Sequence, residues 1–335
     1  MRAGVFCVYE NPLGDYRRCL DDQTAMVRHA EALGFEEAWV AEHHFNPDAA
    51  SPSIMALLAY LAGVTERIRL GSAAVLLAFR NPIQVAEDVA TVDVLSGGRF
   101  NFGVAKGGPF PIQNQHFQVG KDVSRDMMLE GLELVQRLLA EDKVTFSGRF
   151  YNCEGISIAP RPVQRSIPTF VATTTEDAIR VAAEKGYGVM GASPFPLERI
   201  VRLVEAYRAA AAGRDPQLTV SRFYYAAATQ EEALKEAMPF VTRFAERMRG
   251  VFLAQNPQGG GIDADGVIER SLIGSYSEVA DKIMRIREAT GMRSLLLKPV
   301  SLDPSKWLSA LDVFAERIRP ELPSEAEEAP MKVTA

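Results

Sequence analysis

The chain has few cysteines, and their arrangement predicts no chemistry. Its 335 residues include only Cys7, Cys19 and Cys153, and no two of them form a CxxC pair. An odd number of widely spaced cysteines indicates reduced, buried thiols in a cytoplasmic protein rather than a disulfide framework. We therefore expect a cytoplasmic protein without a metal site.

Long apolar runs and basic clusters are also missing. No run of about 18 apolar residues occurs, so no membrane-spanning helix is expected. The apolar run in MRAGVFCVYENP is too short for a signal peptide and indicates a buried strand. The net charge of −6 argues mildly against nucleic acid or an anionic membrane as the main partner. There is no HExxH, Walker loop or GxSxG, so zinc hydrolysis, nucleotide triphosphate use and serine acyl transfer lack support.

What the chain does have is an alternation of short apolar runs with amphipathic helices. The predicted strands cover residues 2–8, 37–41, 68–77, 100–105, 169–172, 188–192, 219–227 and 294–299. Eight strands, each followed by a helix, predict an α/β fold of the (β/α)8 TIM barrel type, as a single domain over residues 1–320. A doubly wound open sheet is the alternative, but ENPLGDY after the first strand is not the GxGxxG that such folds usually show.

Several local signals set the expected element ends and loops. Gly34 and Gly186 are placed as helix C′ residues, Asn81-Pro82 as N-cap and N1, and Ser124 as an N-cap. Loop insertions at the C-terminal face are expected over residues 110–121 and 254–266, and loops like the second often act as lids. Residues 321–335 lack an apolar stripe and are expected to form a disordered tail.

Polar or small residues follow several strands, where parallel α/β folds place their chemistry. His43 and His44 end the second strand, and since side chains alternate, only one of them can face the barrel axis. Either one could serve in acid–base catalysis or be a hydrogen-bonded structural histidine. Lys106 precedes two glycines, and a cation beside flexible backbone donors can hold a phosphate, although a solvated lysine is the simpler interpretation. The threonines 173–175 precede a helix and could bind an anion or simply cap that helix.

The motifs AEHHF and LSGGRFNFGVAKGG, in this order, resemble those of the bacterial luciferase-like family of flavin-dependent monooxygenases. The resemblance covers nearly the whole chain. It implies that His43, the first histidine of AEHHF, is the catalytic acid–base group. It gives His44 a supporting role and makes Glu42 an orienting carboxylate near the cofactor.

The same resemblance implies a set of contacts to FMN. A non-proline cis peptide between Ala73 and Ala74 is expected beneath the flavin ring, with Met190 and Gly191 packing against the ring. Lys106 stands where the family often has an arginine that grips the FMN phosphate. Thr173 and Thr174 occupy the phosphate turn, where glutamate and serine are common in the family.

The implied function is a two-component monooxygenase. A separate flavin reductase would supply reduced FMN, and the enzyme would use it with O2 to oxygenate a small organic substrate. A homodimer built on the early helices is also implied. Small residues where luciferase carries an aromatic side chain, and Ala105 where it carries a cysteine, argue against light emission. The alternatives are a deazaflavin-dependent dehydrogenase on the same fold and a flavin-binding protein without turnover.

Overall fold

The computed structural model describes residues 1–108, 110–192, 195–255 and 262–323. Its strands are β1 (Arg2–Cys7), β2 (Glu37–Val40), β3 (Arg69–Ser72), β4 (Val75–Leu76), β5 (Phe100–Ala105), β6 (Val144–Ser147), β7 (Asn152–Ile156), β8 (Thr169–Val171), β9 (Gly188–Gly191), β10 (Leu218–Ala227), β11 (Leu272–Ser275) and β12 (Ser294–Pro299). Its helices are α1 (Tyr16–Ala32), α2 (Ile54–Val64), α3 (Pro82–Leu95), α4 (Pro111–His116), α5 (Ser124–Ala140), α6 (Glu176–Lys185), α7 (Leu197–Ala210), α8 (Gln230–Gln255), α9 (Ala264–Glu269), α10 (Tyr276–Thr290) and α11 (Ser305–Val313).

Eight strands in the described part of the chain pair in parallel around a closed ring. The order is β1, β2, β3, β5, β8, β9, β10 and β12, and β12 returns to β1, where Arg2 pairs with Ser294. On β10, Val220 pairs with Gly191 of β9 on one side and with Leu295 of β12 on the other. The predicted TIM barrel is therefore confirmed, and the open sheet is excluded.

The structure departs from the predicted strands in three places. The single strand predicted over residues 68–77 is broken into β3 and β4, and the bond between Ala73 and Ala74 that separates them is cis, as predicted. The short β11, which extends the sheet beside the far end of β10, was not predicted. The hairpin of β6 and β7 was missed as well. β6 alternates buried and exposed residues and so covers one face only, unlike the continuous apolar runs of the barrel strands.

Most predicted helix ends are confirmed, and one is wrong. The Asn81 side chain accepts a hydrogen bond from the backbone N–H of Ile83 at the start of α3. Gly34 and Gly186 have φ angles of 76° and 71°, which is the left-handed conformation expected after a helix. Ser124, however, is the first residue of α5 and not its cap, because its hydroxyl donates back to the carbonyl of Lys121.

The two ends of the barrel interior differ in chemistry. At the start of the strands, the fully buried Glu37 accepts hydrogen bonds from Trp39 Nε1 at 2.8 Å and from Ser294 Oγ at 2.6 Å. Further along, the rings of Trp39 and Phe170 meet edge to face with centroids 5.1 Å apart. These rings pack with Met190 and Leu296 in one apolar cluster. The mouth at the C-terminal ends of the strands thus has an apolar floor.

Two of the predicted segments are only partly covered by the described residues. Of the predicted loop over residues 254–266, residues 256–261 lie outside the described part, and α9 begins at Ala264, so a lid there stays a prediction. Residues 324–335 of the predicted tail lie outside it as well. None of the described helices combines the length and the apolar character needed to cross a membrane.

Candidate active site

The two adjacent histidines after β2 turn to different neighbours. His44 Nε2 lies 2.7 Å from Oε1 of Glu42, and its ring meets Phe117 edge-on with centroids 4.8 Å apart. His43 is partly buried and lies within electrostatic reach of Lys298, which belongs to β12 on the far side of β1. The two histidines thus have different surroundings, and the catalytic role of His43 stays a prediction.

The surroundings of His43 keep its imidazole neutral. Burial is the largest of the causes that lower the pKa of His43 to about 4, followed by the positive charges of Arg247 and Lys298. Both cations are paired: Arg247 Nη1 lies 3.5 Å from Asp48 Oδ2, and Lys298 Nζ lies 2.6 Å from Glu10 Oε1. A neutral imidazole has one nitrogen that donates and one that accepts, which suits proton transfer at pH 7.

An open pocket of about 480 Å³ adjoins His43. Tyr16 and Leu20 of α1 form one wall of this pocket. Besides His43, the other lining residues come from the loop between β2 and α2: Phe45, Asn46, Pro47, Ala49, Ala50 and Pro52. His43 is thus accessible from a cavity large enough for a small organic molecule.

Glu42 organises the loops beside the histidines. Its side chain is fully buried, and its carboxylate accepts the backbone N–H of Leu76 at 3.0 Å and lies 2.9 Å from Nη2 of Arg80. With the His44 contact, this carboxylate ties the end of β2 to the segment after β3. The residue that the Glu42 carboxylate contacts and can orient is therefore His44. The predicted contact between Glu42 and the cofactor stays a prediction. Sequence reasoning missed Arg80, although its place between a barrel strand and the Asn81 cap was an available signal.

Small side chains lie where the flavin ring is expected. Ser72 Oγ bridges to the backbone N–H and carbonyl of Gly103, both at 2.8 Å, and holds β3 against β5. The partly buried Ala73 packs against the cluster that contains Met190, so the structure brings these two predicted residues together. A Cβ on Gly191 would instead point to Ile200, 3.1 Å away, so this glycine presents only its backbone to the mouth.

Four cationic side chains gather around the turn before α6. Burial lowers the pKa of the partly buried Lys106, and the charges of Arg125 and Lys121 lower it further. Arg125 Nη1 lies 3.8 Å from Asp177 in the first turn of α6. Arg199 supplies the fourth cation. Like charges held together favour an anion between them, and sequence reasoning had identified Lys106 alone.

The threonine turn joins this group of cations. Thr174 Oγ1 accepts a hydrogen bond from Arg199 Nη2 at 2.9 Å, and Thr173 Oγ1 accepts the backbone N–H of Thr175 at 3.2 Å. Thr175 is the N-cap of α6, but its side chain makes no capping hydrogen bond. The simple capping interpretation is therefore wrong. The hydroxyls, the N-terminus of α6 and the cations together offer the donors and positive charges that would hold an anion, and we call this group the anion site.

Aromatic rings form a wall between the anion site and the histidines. Phe79 and Phe117 stack with centroids 5.2 Å apart, and Phe117 also packs against His44. Gly107, directly after Lys106, has a φ of 106°, and a Cβ there would lie 2.7 Å from the Phe79 ring. Phe117 follows α4, a short helix within the segment predicted as a polar loop. The position of the Phe79 ring therefore depends on a glycine at 107.

The comparisons with known proteins agree with the geometry of the site. Residues 1–294 match the family model described as luciferase-like monooxygenase. The chain is 24% identical over 310 residues to limonene 1,2-monooxygenase from Rhodococcus erythropolis, covering 88% of this chain and 79% of that protein. It is 30% identical over 206 residues to the uncharacterized protein y4wF from Sinorhizobium fredii, spanning 61% of this chain but only 59% of the relative.

Solved structures share the fold over nearly the full length. The monooxygenase RslO1 from Streptomyces bottropensis superposes with a TM-score of 0.86 at 27% identity, over 96% of this chain and 99% of that one. The oxygenating constituent of 3,6-diketocamphane monooxygenase from Pseudomonas putida, solved with FMN, gives 0.79 at 20% identity over the same shares. An F420-dependent secondary alcohol dehydrogenase gives 0.75 at 19%, also over 96% and 99%. The last two likenesses show the fold alone.

Proposed function

Because this chain belongs to the luciferase-like monooxygenase family, we propose that it uses reduced FMN and O2 to oxygenate a small organic substrate. The observation that carries the proposal is the placement of three parts around one barrel mouth. The anion site follows β5 and β8, the floor of small and apolar residues lies in the barrel interior, and His43 follows β2. A cofactor with a phosphate at one end and a flat ring at the other needs such an arrangement.

The residues present fit FMN. The phosphate would be held by Lys106, Thr173 and Thr174, together with Arg125 and Arg199 beside them. The ring would lie against Ala73, Ala74 and the Met190 side chain, with Gly191 adding backbone only. Bound reduced FMN would supply the electrons for oxygen chemistry.

His43 is proposed to transfer a proton during the oxygenation of the substrate. Its imidazole is unprotonated at pH 7, because its pKa is lowered to about 4, so one ring nitrogen is free to accept a proton from the substrate side. The same low pKa means that the accepted proton is held weakly and is readily given back. His44 and Glu42 would keep the neighbouring loop in place. The apolar rings of Phe79 and Phe117 would exclude water from the space between His43 and the anion site.

A flavin reductase is proposed as a transient partner that provides reduced FMN, and a homodimer as the assembly. The dimer proposal is supported by exposed apolar residues on the early helices: Tyr60 of α2 is 52% exposed, and Leu95 of α3 is 54% exposed. Contact with a second subunit at these positions would remove apolar surface from water.

The test of the cofactor is an anaerobic titration of the purified protein with FMN, reduced FMN and reduced deazaflavin. The proposal expects reduced FMN to bind more tightly than the deazaflavin. A preference for the deazaflavin would transfer the assignment to a dehydrogenase. Binding of flavin with no reaction upon addition of oxygen and candidate substrates would leave the protein a flavin carrier.

A further inference from the structure

The pocket beside His43 lies apart from the anion site. It opens between the start of α1, which follows β1, and the loop that follows β2. The cations Lys106, Lys121 and Arg125 gather after β5 and before α6, beyond β3 in the ring. A cofactor whose phosphate is held by these cations would leave the pocket for a second molecule. Of the groups at the barrel mouth described above, His43 is the one that lines this pocket.

The walls of the pocket are uncharged. None of its lining side chains is an aspartate, glutamate, lysine or arginine, and His43 is neutral. The two cations that lower the pKa of His43 most are bound by carboxylates, Arg247 by Asp48 and Lys298 by Glu10. A charged group brought into such a pocket would lose its hydration without gaining an ionic partner, and this disfavours charged ligands.

Two aromatic side chains frame the opening. Tyr16 is 57% exposed and Phe45 is 52% exposed, although both are large apolar residues. Phe45 also has a φ of 55°, a left-handed conformation that bulky residues rarely adopt. Its ring is held by Phe117 and His116, each with its ring centroid 5.4 Å away. A strained residue that holds an exposed ring at a cavity is typical of a ligand contact.

We infer that this pocket binds an uncharged, ring-bearing apolar molecule as the substrate, with Tyr16 and Phe45 as the residues that determine this specificity. The inference rests on the oxygenase function proposed above. Flat apolar rings gain stacking contacts from both aromatic walls. A carbonyl or hydroxyl on the ring would reach the His43 imidazole as the polar group of an otherwise apolar site.

The test uses a fluorescent probe that needs no flavin. The neutral naphthalene ketone prodan is titrated into the protein, and so is its counterpart in which a carboxylate replaces the propionyl group. Prodan is expected to bind with a blue-shifted emission, and the carboxylate is expected to bind at least about tenfold more weakly. Equal binding of the two probes, or tighter binding of the carboxylate, would overturn the inference.

Two matched variants test whether prodan binds in this pocket. Tyr16→Asp changes a pocket residue, and Leu13→Asp changes a residue that is 56% exposed but does not line the pocket. Tyr16→Asp is expected to weaken prodan binding about tenfold, and Leu13→Asp is expected to leave it unchanged. Both sites are exposed, so folding should be retained, and circular dichroism checks this. If the two variants bind prodan equally well, the probe lies elsewhere and the inference fails.

The result of the prodan test can be distinguished from the result of the test of the oxygenase function. Prodan binding that depends on Tyr16, with no reaction of bound reduced FMN with oxygen, would contradict the oxygenase and leave the pocket assignment in place. The reverse result would retain the oxygenase and remove this substrate class.

Discussion

His44 Nε2 lies 2.7 Å from Oε1 of Glu42, whereas the adjacent His43 lines an open pocket. Two neighbouring residues of the same type thus have different tasks. The buried carboxylate fixes His44 and, through Arg80, the loop after β3. His43 remains neutral and accessible to a small molecule. The proposed chemistry depends on this separation.

Replacement of His43 by alanine should lower the oxygenation rate by a hundredfold to ten-thousandfold, about the contribution of one acid–base group. The affinity for reduced FMN should change little, because the proposed phosphate contacts lie after β5 and before α6. His29→Ala is the matched control, since His29 pairs with Asp312 and not with a residue of the site. Oxygenation by His43→Ala at the wild-type rate would show that His43 is not catalytic.

Glu42→Gln should destabilise the fold by about 2 kcal/mol, since it removes a charge that Arg80 and His44 share inside the protein. Urea unfolding followed by circular dichroism measures the change. Glu141→Gln, which breaks the exposed pair with Arg137, should be neutral in the same experiment. Equal effects of the two substitutions would contradict the structural role given to Glu42.

Lys106→Met should weaken FMN binding about tenfold and leave riboflavin binding unchanged, because riboflavin has no phosphate to meet the cations. Fluorescence titration with both flavins gives the comparison. Lys185→Met at the last residue of α6 provides a matched loss of one positive charge away from the turn. An equal loss of affinity for FMN and riboflavin would place Lys106 outside the phosphate site.

The pKa of His43 predicts a pH dependence of stability. His43 has a folded pKa of about 4 against an ordinary value of 6.5, so between these values the unfolded chain binds more protons than the folded protein. The stability contributed at this site is therefore complete above pH 6.5 and is lost as the pH falls towards 4. Between pH 7 and pH 5 the wild type should lose about 2 kcal/mol more unfolding free energy than His43→Asn. Identical losses, measured by urea unfolding at both pH values, would disprove the assignment.

A homodimer on the early helices predicts that Tyr60→Glu lowers the sedimentation coefficient towards that of a monomer. The exposed side chain should otherwise tolerate the charge. Val163→Glu, at a position that is 61% exposed and outside the helices, is the control and should sediment like the wild type. An unchanged profile for Tyr60→Glu would count against this interface.

The barrel strands were predictable because each is a short, nearly continuous apolar run between turn signals. β11 was missed because it has only four residues and the last of them, Ser275, is also the N-cap of α10, so the helix signal dominates there. The hairpin β6–β7 lies outside the eight-strand repeat and so had no place in a count of barrel units. α8 continues through Pro239, where a helix usually kinks or ends, because its apolar face packs against β10.

The site was predictable only where a motif lies on consecutive residues. His43 and the Ala73–Ala74 pair follow strands in order, and the family pattern predicts both positions. The cis bond between the two alanines is confirmed, and the catalytic role of His43 stays a prediction. Arg247 and Lys298 act on His43 from more than 200 residues away in the sequence. Their approach depends on closure of the barrel and on the position of α8. No local pattern encodes such contacts.

The central claim is tested most directly by mixing oxygen with the anaerobic complex of the protein and reduced FMN, while the flavin absorbance is followed in a stopped-flow spectrometer. The account predicts that the oxidised flavin spectrum returns more slowly in the complex than in free solution, and that its return is altered in His43→Ala. A time course identical to that of free reduced FMN in both proteins would contradict it.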